Sequence, residues 1–319
     1  LFRSSITSAQ IAPTAQFVNM KNRIINGAMQ VWQRGTSSSS IGYQTVDRWS
    51  FYAGSTPQIS QSTDVPAGFV YSASVSGTGS VGLTQKVETV NTIGLVGQSI
   101  TISFWLKQAT GAGSNAIALN LYYAGAADNW NTSTQIGTSQ NFTTTNGWAQ
   151  YSATFTNMPS GTSNGLQVTI VTTRASAVAF QVTGVQLEVG SSATAFDFRQ
   201  YGTEYDLCRR YCEVWADPSY TTFLTVMAPN PNNTYQLAGV MPIYPKRAQP
   251  SVTLSGASTF TNMWQGGSST PSAVAFGVYS NKSVYPYITS STNQGGYSTL
   301  LQLNAGAVTS NYVIVSAEL

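Results

Sequence analysis

Histidine is absent from the 319 residues of this chain. This removes the side chain that most often acts as a general base near neutral pH, the usual metal ligand, and every catalytic arrangement built on a Ser–His or Cys–His pair. A glycosidase needs only two carboxylates, and Asp64, Glu88 and Asp128 are loose candidates that nothing in the sequence brings together. We therefore expect no catalytic residues, with a polysaccharide-degrading enzyme as the alternative.

Charged residues are also scarce. Only 8% of the chain is Asp, Glu, Lys or Arg, and the formal net charge is +3. Nucleic-acid binding depends on clustered cations that release counterions from phosphates, so the composition argues against a nucleic-acid partner. No apolar run approaches the roughly 18 residues that a membrane span needs, so we expect no membrane insertion. The many Ser, Thr, Asn, Gln and Gly residues predict a polar, almost uncharged surface.

The chain contains two cysteines, Cys208 and Cys212, one helical turn apart. They cannot form a disulfide framework, and on one helix face their Cβ vectors would run parallel, which disfavours a bond between them. A metal would find two thiol ligands and no histidine. We expect packed thiols, no metal site and no cofactor.

Apolar residues alternate with polar ones over residues 22–199, which is typical of half-buried β-strands. In ITISFWLKQ the inward set is Ile100, Ile102, Phe104 and Leu106. The alternation changes parity at Gly184, where a β-bulge would restore the register. Short strands separated by turns rich in Gly, Ser and Asn predict an all-β fold of two β-sandwich, jelly-roll-like domains.

One amphipathic segment, TEYDLCRRYCEVW, interrupts the strands. Its apolar stripe at helical spacing includes Leu207, Tyr211 and Trp215. Its Arg209 and Glu213 form an i,i+4 pair, worth about 0.3–0.5 kcal/mol on an exposed face. We expect a short α-helix that joins the two domains. The predicted order is a connector at residues 1–21, a jelly-roll domain at 22–200, the linker helix at 201–217 and a smaller C-terminal β-sandwich at 218–319.

Several segments, taken together, resemble a family of bacteriophage tail-fibre and related virion proteins. They are NRIINGAMQVWQRG (residues 22–35), TVDRW (45–49), GVQLEVGSSATAFDFRQYGTEYDLCRRY (184–211) and MPIYPKRAQPSVTLS (241–255). The first domain is also similar to jelly-roll carbohydrate-binding modules, in which a strand ending in V-Q-L-E-x-G closes the sandwich. Such modules often hold a structural Ca²⁺ through acidic residues. In this chain the two residues before Val185 are Thr183 and Gly184 rather than carboxylates, so we do not expect a bound Ca²⁺ from the resemblance.

The resemblance implies a non-enzymatic fibre component on a virion, usually a homotrimer, whose distal domains contact the host cell surface. The expected partners are a host glycan or receptor and, through the N-terminal connector, other virion proteins. Because the chain starts with Leu1, we expect the connector to continue from an upstream stalk. A head or tail decoration fibre with a mainly structural role is the alternative. In a trimer, Leu207, Tyr211 and Trp215 either cover the base of one sandwich or meet around the axis.

Sugar binding requires aromatic faces beside amides and hydroxyls, because pyranose rings stack through their C–H faces and their hydroxyls need donors and acceptors. In the first domain the segment LYYAGAADNWNTSTQ, interpreted as a polar loop, offers Tyr122, Tyr123, Asp128, Asn129 and Trp130. In the second domain the candidates are Trp264, Tyr285 and Tyr287. For each group the alternative is that the ring packs a loop or crosses a subunit boundary.

Overall fold

The computed structural model describes residues 20–108, 116–216, 222–230, 233–254, 260–264, 267–290, 298–304 and 312–319. They form two compact units. The first holds the chain up to Trp32, then Thr36–Glu204 and Leu319, and the second holds Gln33–Gly35 and Tyr205–Glu318. Most of the predicted connector, residues 1–19, lies outside this description.

The first unit is built almost entirely from β-strands. They are β1 (Ser37–Ser38), β2 (Ser50–Tyr52), β3 (Ser55–Ser62), β4 (Ser72–Val87), β5 (Ile100–Gln108), β6 (Ala116–Ala126), β7 (Asn129–Gln135), β8 (Gln140–Thr143), β9 (Ala149–Phe155) and β10 (Leu166–Val189). Short 3-10 helices lie at Thr89–Asn91, Ile93–Leu95 and Ser160–Asn164. All strand pairs are antiparallel.

Two long strands, β4 and β10, pair with each other and run through both layers of the first unit. The first part of β10, from Leu166 to Val171, also pairs with β6, while the matching part of β4 pairs with β2. The second part of β10 pairs with β5, and β4 there pairs with β3. Residues from both parts share one apolar core, so the unit is a β-sandwich of the jelly-roll type.

The predicted alternation is confirmed in the core of the first unit. Ile100, Ile102, Phe104 and Leu106 of β5 are all 0% exposed. Burial of each such side chain is worth about 1.5–3 kcal/mol. The predicted bulge is confirmed as well, because the β10–β5 register shifts between Thr183 and Gln186 and Gly184 has φ +61°.

The second unit is also a β-sandwich. Its strands are β11 (Cys212–Trp215), β12 (Thr222–Asn230), β13 (Asn233–Ala238), β14 (Met241–Pro242), β15 (Ser251–Leu254), β16 (Phe260–Trp264), β17 (Gly267–Ser269), β18 (Pro271–Ser280), β19 (Ser283–Ser290), β20 (Thr299–Leu303) and β21 (Val313–Ser316). One sheet has the order β11-β21-β15 and the other β14-β19-β13-β12-β20-β16-β17, with β18 paired to β19. Apolar residues of both sheets, such as Val315 and Ile288, form one core.

The single α-helix of the described chain, α1 (Tyr201–Arg209), is shorter than predicted. The prediction of a helix over residues 201–217 is wrong in its second half, because Cys212–Trp215 form strand β11 and pair with β21. Main-chain pairing and burial against a neighbouring strand outweigh the modest helix propensity of a segment that contains Cys, Val and Trp. Cys208 and Cys212 are both buried, which confirms the packed thiols.

The carboxylate of the predicted Arg209–Glu213 pair is buried rather than exposed. Glu213 accepts hydrogen bonds from Arg209 at 2.5 Å and from Lys246 at 2.9 Å, and it also accepts one from the main-chain N–H of Tyr244. The side chain of Lys246 is 0% exposed and that of Glu213 is 8% exposed. The expectation of a weak surface pair is therefore wrong, because Glu213 lies on β11 and faces the inside of the second unit.

Candidate functional site

Polar and aromatic side chains collect on the outer face of the layer formed by β2, β4, β10, β6 and β7. Leu119 and Leu121 of β6 and Val168 and Ile170 of β10 lie in the core, so the residues between them point away from it. The outward residues are Tyr52, Thr84, Lys86, Asn120, Tyr122, Gln135, Gln167 and Thr169. We call this set the polar face.

One row of the polar face runs across four neighbouring strands. Gln167 of β10 is paired with Lys86 of β4 on one side and with Tyr122 of β6 on the other. Tyr122 is in turn paired with Gln135 of β7. Neighbouring strands are about 4.8 Å apart, so the row presents an ammonium group, two amides and a phenol over about 15 Å.

A second, parallel row is made of hydroxyl and amide groups. Thr169 lies between Thr84 and Asn120, and the two threonine hydroxyls are 2.6 Å apart. Gln167 donates to the Thr169 hydroxyl, and Gln135 donates to the Asn120 carbonyl oxygen. These bonds fix the positions of both amides, so that their remaining donors and acceptors face outward in a fixed arrangement.

The second row of the polar face is sheltered from solvent, whereas Gln135 of the first row is exposed. Asn120 and Thr169 are only 8% and 6% exposed although both point away from the core. Side chains around them must therefore shelter this row from solvent. A recessed polar surface favours ligand binding, because hydrogen bonds made there compete with less water than on an open surface.

Tyr52 lies across the polar face at the position of Gly82. A Cβ atom at residue 82 would lie 2.8 Å from Tyr52 Oη. The phenol of Tyr52 therefore occupies space that a larger residue than glycine would fill. Burial raises the pKa of Tyr52, and the nearby Tyr122 raises it further. Neither phenol hydroxyl bonds to another described residue, so both are available to a ligand as donors and acceptors.

Trp130 lies at one end of the polar face but is packed rather than free. Its ring stands against Gly165, and the Lys86 ammonium lies 5.2 Å from the ring centroid. Lys86 also donates to the main-chain oxygen of Leu319 at 3.0 Å. The indole therefore supports Lys86 by a cation–π contact, and it offers a ligand little of its own face.

The other predicted residues of this segment lie away from the polar face. The segment is a hairpin of β6 and β7 rather than the polar loop that we predicted. Tyr123 packs against the core, and its ring covers Gly161. Asp128 forms the turn with φ +52°, and its carboxylate accepts hydrogen bonds from Thr89. The side chain of Asn129 is exposed and caps its own turn.

The predicted residues of the second unit fall in different places. Tyr285 and Tyr287 are exposed on β19, whereas Trp264 ends β16 and its side chain lies outside the description. Tyr211 is only 1% exposed, and Trp215 packs on the core with its ring 6.4 Å from that of Phe276. Because Trp215 is on a strand, the proposed stripe with Leu207 is not one continuous helix face.

Sequence reasoning found Tyr122 but missed most of the polar face. The signal is present in LQVTIV (residues 166–171), where the polar residues Gln167 and Thr169 alternate with apolar ones. Tyr52, Asn120 and Gln135 belong to strands distant along the chain, so only strand order and register bring them together.

Within the described ranges, no group of three or more His, Cys, Asp or Glu residues is placed to hold a metal ion. No helix among these residues is long and apolar enough to cross a membrane.

Comparison with known proteins agrees with the strand topology. Residues 33–177 match the model of a protein family described as "Carbohydrate binding domain". This part of the chain is therefore similar to carbohydrate-binding domains. A search of curated protein sequences gave no match.

Several solved structures are similar to about half of this chain. The CBM22-1 xylan-binding domain of Paenibacillus barcinonensis Xyn10C is 15% identical, with a TM-score of 0.34, and the match covers 50% of this chain and 94% of that one. The C-terminal family 22 carbohydrate binding module of Clostridium thermocellum Xyn10B is 14% identical, with a TM-score of 0.36 and coverages of 50% and 98%.

A third similar structure comes from a bacteriophage. It is the enzymatically active domain of tailspike protein 4 of bacteriophage CBA120, which is 12% identical, with a TM-score of 0.38. The match covers 53% of this chain and 22% of that chain. All three scores are low, so the fold described above rests on the strand topology of this chain.

Proposed function

We propose that this chain binds an uncharged glycan on the polar face of its carbohydrate-binding-module domain and carries out no reaction on it. The observation that carries the proposal is the composition of that face. Its strands present two phenols, three amides, two threonine hydroxyls and one ammonium group, and none of these eight residues is a carboxylate. The ammonium group belongs to Lys86, which is bonded to the main-chain oxygen of Leu319 and lies over the ring of Trp130. A neutral sugar needs the phenols, amides and hydroxyls and gains nothing from a strong charge.

The geometry supports stacking together with hydrogen bonding. The phenol rings of Tyr52 and Tyr122 supply apolar area for the C–H face of a pyranose. Asn120 and Gln167 supply donors and acceptors to the hydroxyl groups at the sugar rim. Gln135 supplies its amide oxygen, because its amide nitrogen already donates to Asn120 and to Ser139. Because the amides are held by Thr169 and by one another, little side-chain entropy is lost when a ligand binds.

The acidic residues support binding without catalysis. Asp64 pairs with Lys107 and accepts a hydrogen bond from Trp148, and these two contacts lower the pKa of its carboxyl group. A glycosidase acid needs the opposite shift, because it must carry a proton near neutral pH. The carboxylate of Asp128 is bonded to Thr89 in a turn.

Gel retention tests the proposal directly. The purified full chain is expected to be retarded in native gels that contain xylan, mixed-linkage β-glucan or galactomannan, and to release no new reducing ends from any of them. Polygalacturonate serves as the acidic comparison and is expected to retard the chain less than the best neutral polymer. New reducing ends, or no retardation by any neutral polymer, would count against the proposal.

We also propose that this binding attaches a virion fibre to the host surface. The support is the resemblance of the segments at residues 22–35, 45–49, 184–211 and 241–255 to bacteriophage tail-fibre proteins. The chain would then reside on the virion and reach other virion proteins through its N-terminal residues. A selective signal on an array of bacterial surface glycans is expected. An array without any selective signal would instead favour a decoration fibre with a structural role.

Assembly as a homotrimer belongs to the same proposal. On the outer face of the larger sheet of the second unit, Val226, Leu300 and Met263 are 61%, 39% and 37% exposed and lie side by side on β12, β20 and β16. Such an apolar row favours burial against another copy of the chain.

Light scattering tests the assembly. At micromolar concentration the chain is expected to show three times the mass of one 34.0 kDa chain. The variant Val226→Glu is expected to dissociate, since a charge would be buried in the contact. A monomer before any substitution would refute the trimer.

A further inference from the structure

The second unit exposes tyrosines on one face of the neighbouring strands β18 and β19. Tyr279 is 74% exposed, Tyr285 37% and Tyr287 38%. The strand register pairs Tyr285 with Gly277 and Tyr287 with Ala275. The three rings therefore lie within two adjacent strands, and small residues face two of them.

The opposite face of the same two strands supplies the core. Val284 and Ile288 of β19 are 0% exposed, and Val274, Phe276 and Val278 of β18 pack against them. The inward residues of both strands therefore form the apolar core, as the alternation of side chains along a strand predicts. Folding of the second unit does not require an aromatic ring at any of the three outward positions.

The rings have defined orientations. A Cβ atom at residue 277 would lie 1.9 Å from Cζ of Tyr285, so the phenol of Tyr285 lies directly across the glycine backbone. The plane of the Tyr279 ring makes an angle of 82° with the plane of the Tyr285 ring, and the two ring centroids are 5.7 Å apart. The arrangement is a flat ring bordered by a perpendicular one.

The two strands that carry these rings are rich in hydroxyls, and the nearest charge along the chain is Lys282 in the turn between them. Neither β18 nor β19 contains a charged residue. The hydroxyl groups of Ser280 and Ser283 are 3.1 Å apart at one end of the strand pair, and that of Ser272 bonds to the main-chain oxygen of Thr289 at the other. Aromatic faces bordered by hydroxyls and free of charge suit a neutral sugar better than an ionic ligand.

The size of the surface also favours a sugar over a protein. A tyrosine side chain can bury about 150–250 Å², so the exposed parts of the three rings amount to roughly 300 Å². A stable protein contact needs about 800 Å² from each partner. The three rings alone are too small for that and are sufficient for one or two sugar rings. The apolar row of Val226, Leu300 and Met263 lies on the same face of this sheet but on the separate strands β12, β20 and β16.

We propose that Tyr279, Tyr285 and Tyr287, the tyrosine platform, form a second glycan-binding surface that acts independently of the polar face. One pyranose stacks on the ring of Tyr285, the ring of Tyr279 closes one side, and the phenol hydroxyls bond to the sugar rim. The platform extends the proposed function to the second unit. Two sites on one chain would hold a long polysaccharide more tightly than either site holds a short oligosaccharide.

Gel retention of full-length variants in xylan, mixed-linkage β-glucan and galactomannan tests the platform. The double variant Tyr279→Ala/Tyr285→Ala is expected to bind the best of these polymers about tenfold more weakly. Its thermal midpoint is expected to stay unchanged, because both side chains are exposed. The single variant Tyr285→Phe keeps the ring and is expected to retain most of the binding. Tyr201→Ala removes a tyrosine that is 59% exposed elsewhere and serves as the matched control.

The outcomes separate this inference from the proposed function. If the double variant binds like the parent while Tyr122→Ala binds more weakly, the platform is refuted and the polar face stands. If the double variant loses binding while Tyr122→Ala does not, the platform stands and the assignment of the polar face is wrong. A change of mass in light scattering caused by the double variant would show that the tyrosines mediate self-association, which also refutes the inference.

Discussion

Replacing Tyr122 with alanine is expected to raise the dissociation constant for the best neutral polysaccharide about thirtyfold, a loss of about 2 kcal/mol. Tyr122 lies between Gln167 and Gln135 in the row that crosses four strands, so its ring is central to the polar face. Removing it takes away the stacking surface and a free hydroxyl together. The measurement is a titration followed by calorimetry or by retention in gels that contain xylan, β-glucan or galactomannan.

Two variants serve as controls for Tyr122→Ala. Tyr122→Phe keeps the ring and is expected to lose less affinity, because only the hydroxyl contact is removed. Asn129→Ala changes an exposed side chain in the adjacent turn, outside the polar face, and is expected to bind like the parent. Equal binding by Tyr122→Ala and the parent would exclude the polar face as the main site.

A similar test at Trp130 is expected to give a different result. Because the indole is packed against Gly165 and Lys86, Trp130→Ala removes a packing contact as well as any ligand contact. Its thermal midpoint is expected to fall, so a weaker retention by this variant alone would not identify a sugar-binding residue. Tyr122 is the better probe of the site for this reason.

Replacing Glu213 with alanine is expected to lower the free energy of unfolding of the second unit by about 3–5 kcal/mol, because it leaves a buried ammonium group without its partner. The ammonium of Lys246 is 0% exposed and donates to Glu213 and to the main-chain oxygen of Arg209. Chemical denaturation followed by tryptophan fluorescence measures the loss. A loss below 1 kcal/mol would contradict the buried network.

The matched control for Glu213→Ala removes both charges together. The double variant Glu213→Leu/Lys246→Met replaces the ion pair with apolar side chains and is expected to lose less stability than Glu213→Ala alone. Removing one partner of a buried ion pair is strongly destabilising. Replacing both partners with apolar side chains often costs little stability, because the desolvation cost of both ions disappears with them. A double variant less stable than the single variant would show that the pair contributes net stability.

The pH dependence of stability follows from the same carboxylate. Burial raises the pKa of Glu213, but hydrogen bonds from Arg209 and Lys246 outweigh it, so the pKa is lowered overall. A carboxylate with a lowered pKa in the folded state stabilises the fold above its unfolded pKa, and this stability is lost as the pH falls through the folded value. Glu213→Gln is expected to show a smaller loss of stability than the parent between about pH 5 and pH 2.

Alternation along single strands was enough to predict the class of fold. The inward residues of ITISFWLKQ and the parity change at Gly184 depend on local geometry, because successive side chains of a strand point to opposite faces. The end of the helix was not predictable in this way. The segment from Cys212 to Trp215 has a helical stripe in the sequence, but β21, about a hundred residues further on, pairs with it.

The sequence by itself determined that this protein is almost entirely β, nearly uncharged and without histidine, and that its aromatic residues occur beside amides and hydroxyls. Only the tertiary structure decided which of those residues share a surface. Lys86, Gln167, Tyr122 and Gln135 lie in one row because four strands align in one register. Trp130 is packed because the fold places its ring against Gly165 and Lys86. Periodicity reports which way a side chain points, whereas its neighbours depend on pairing between strands that are far apart in the chain.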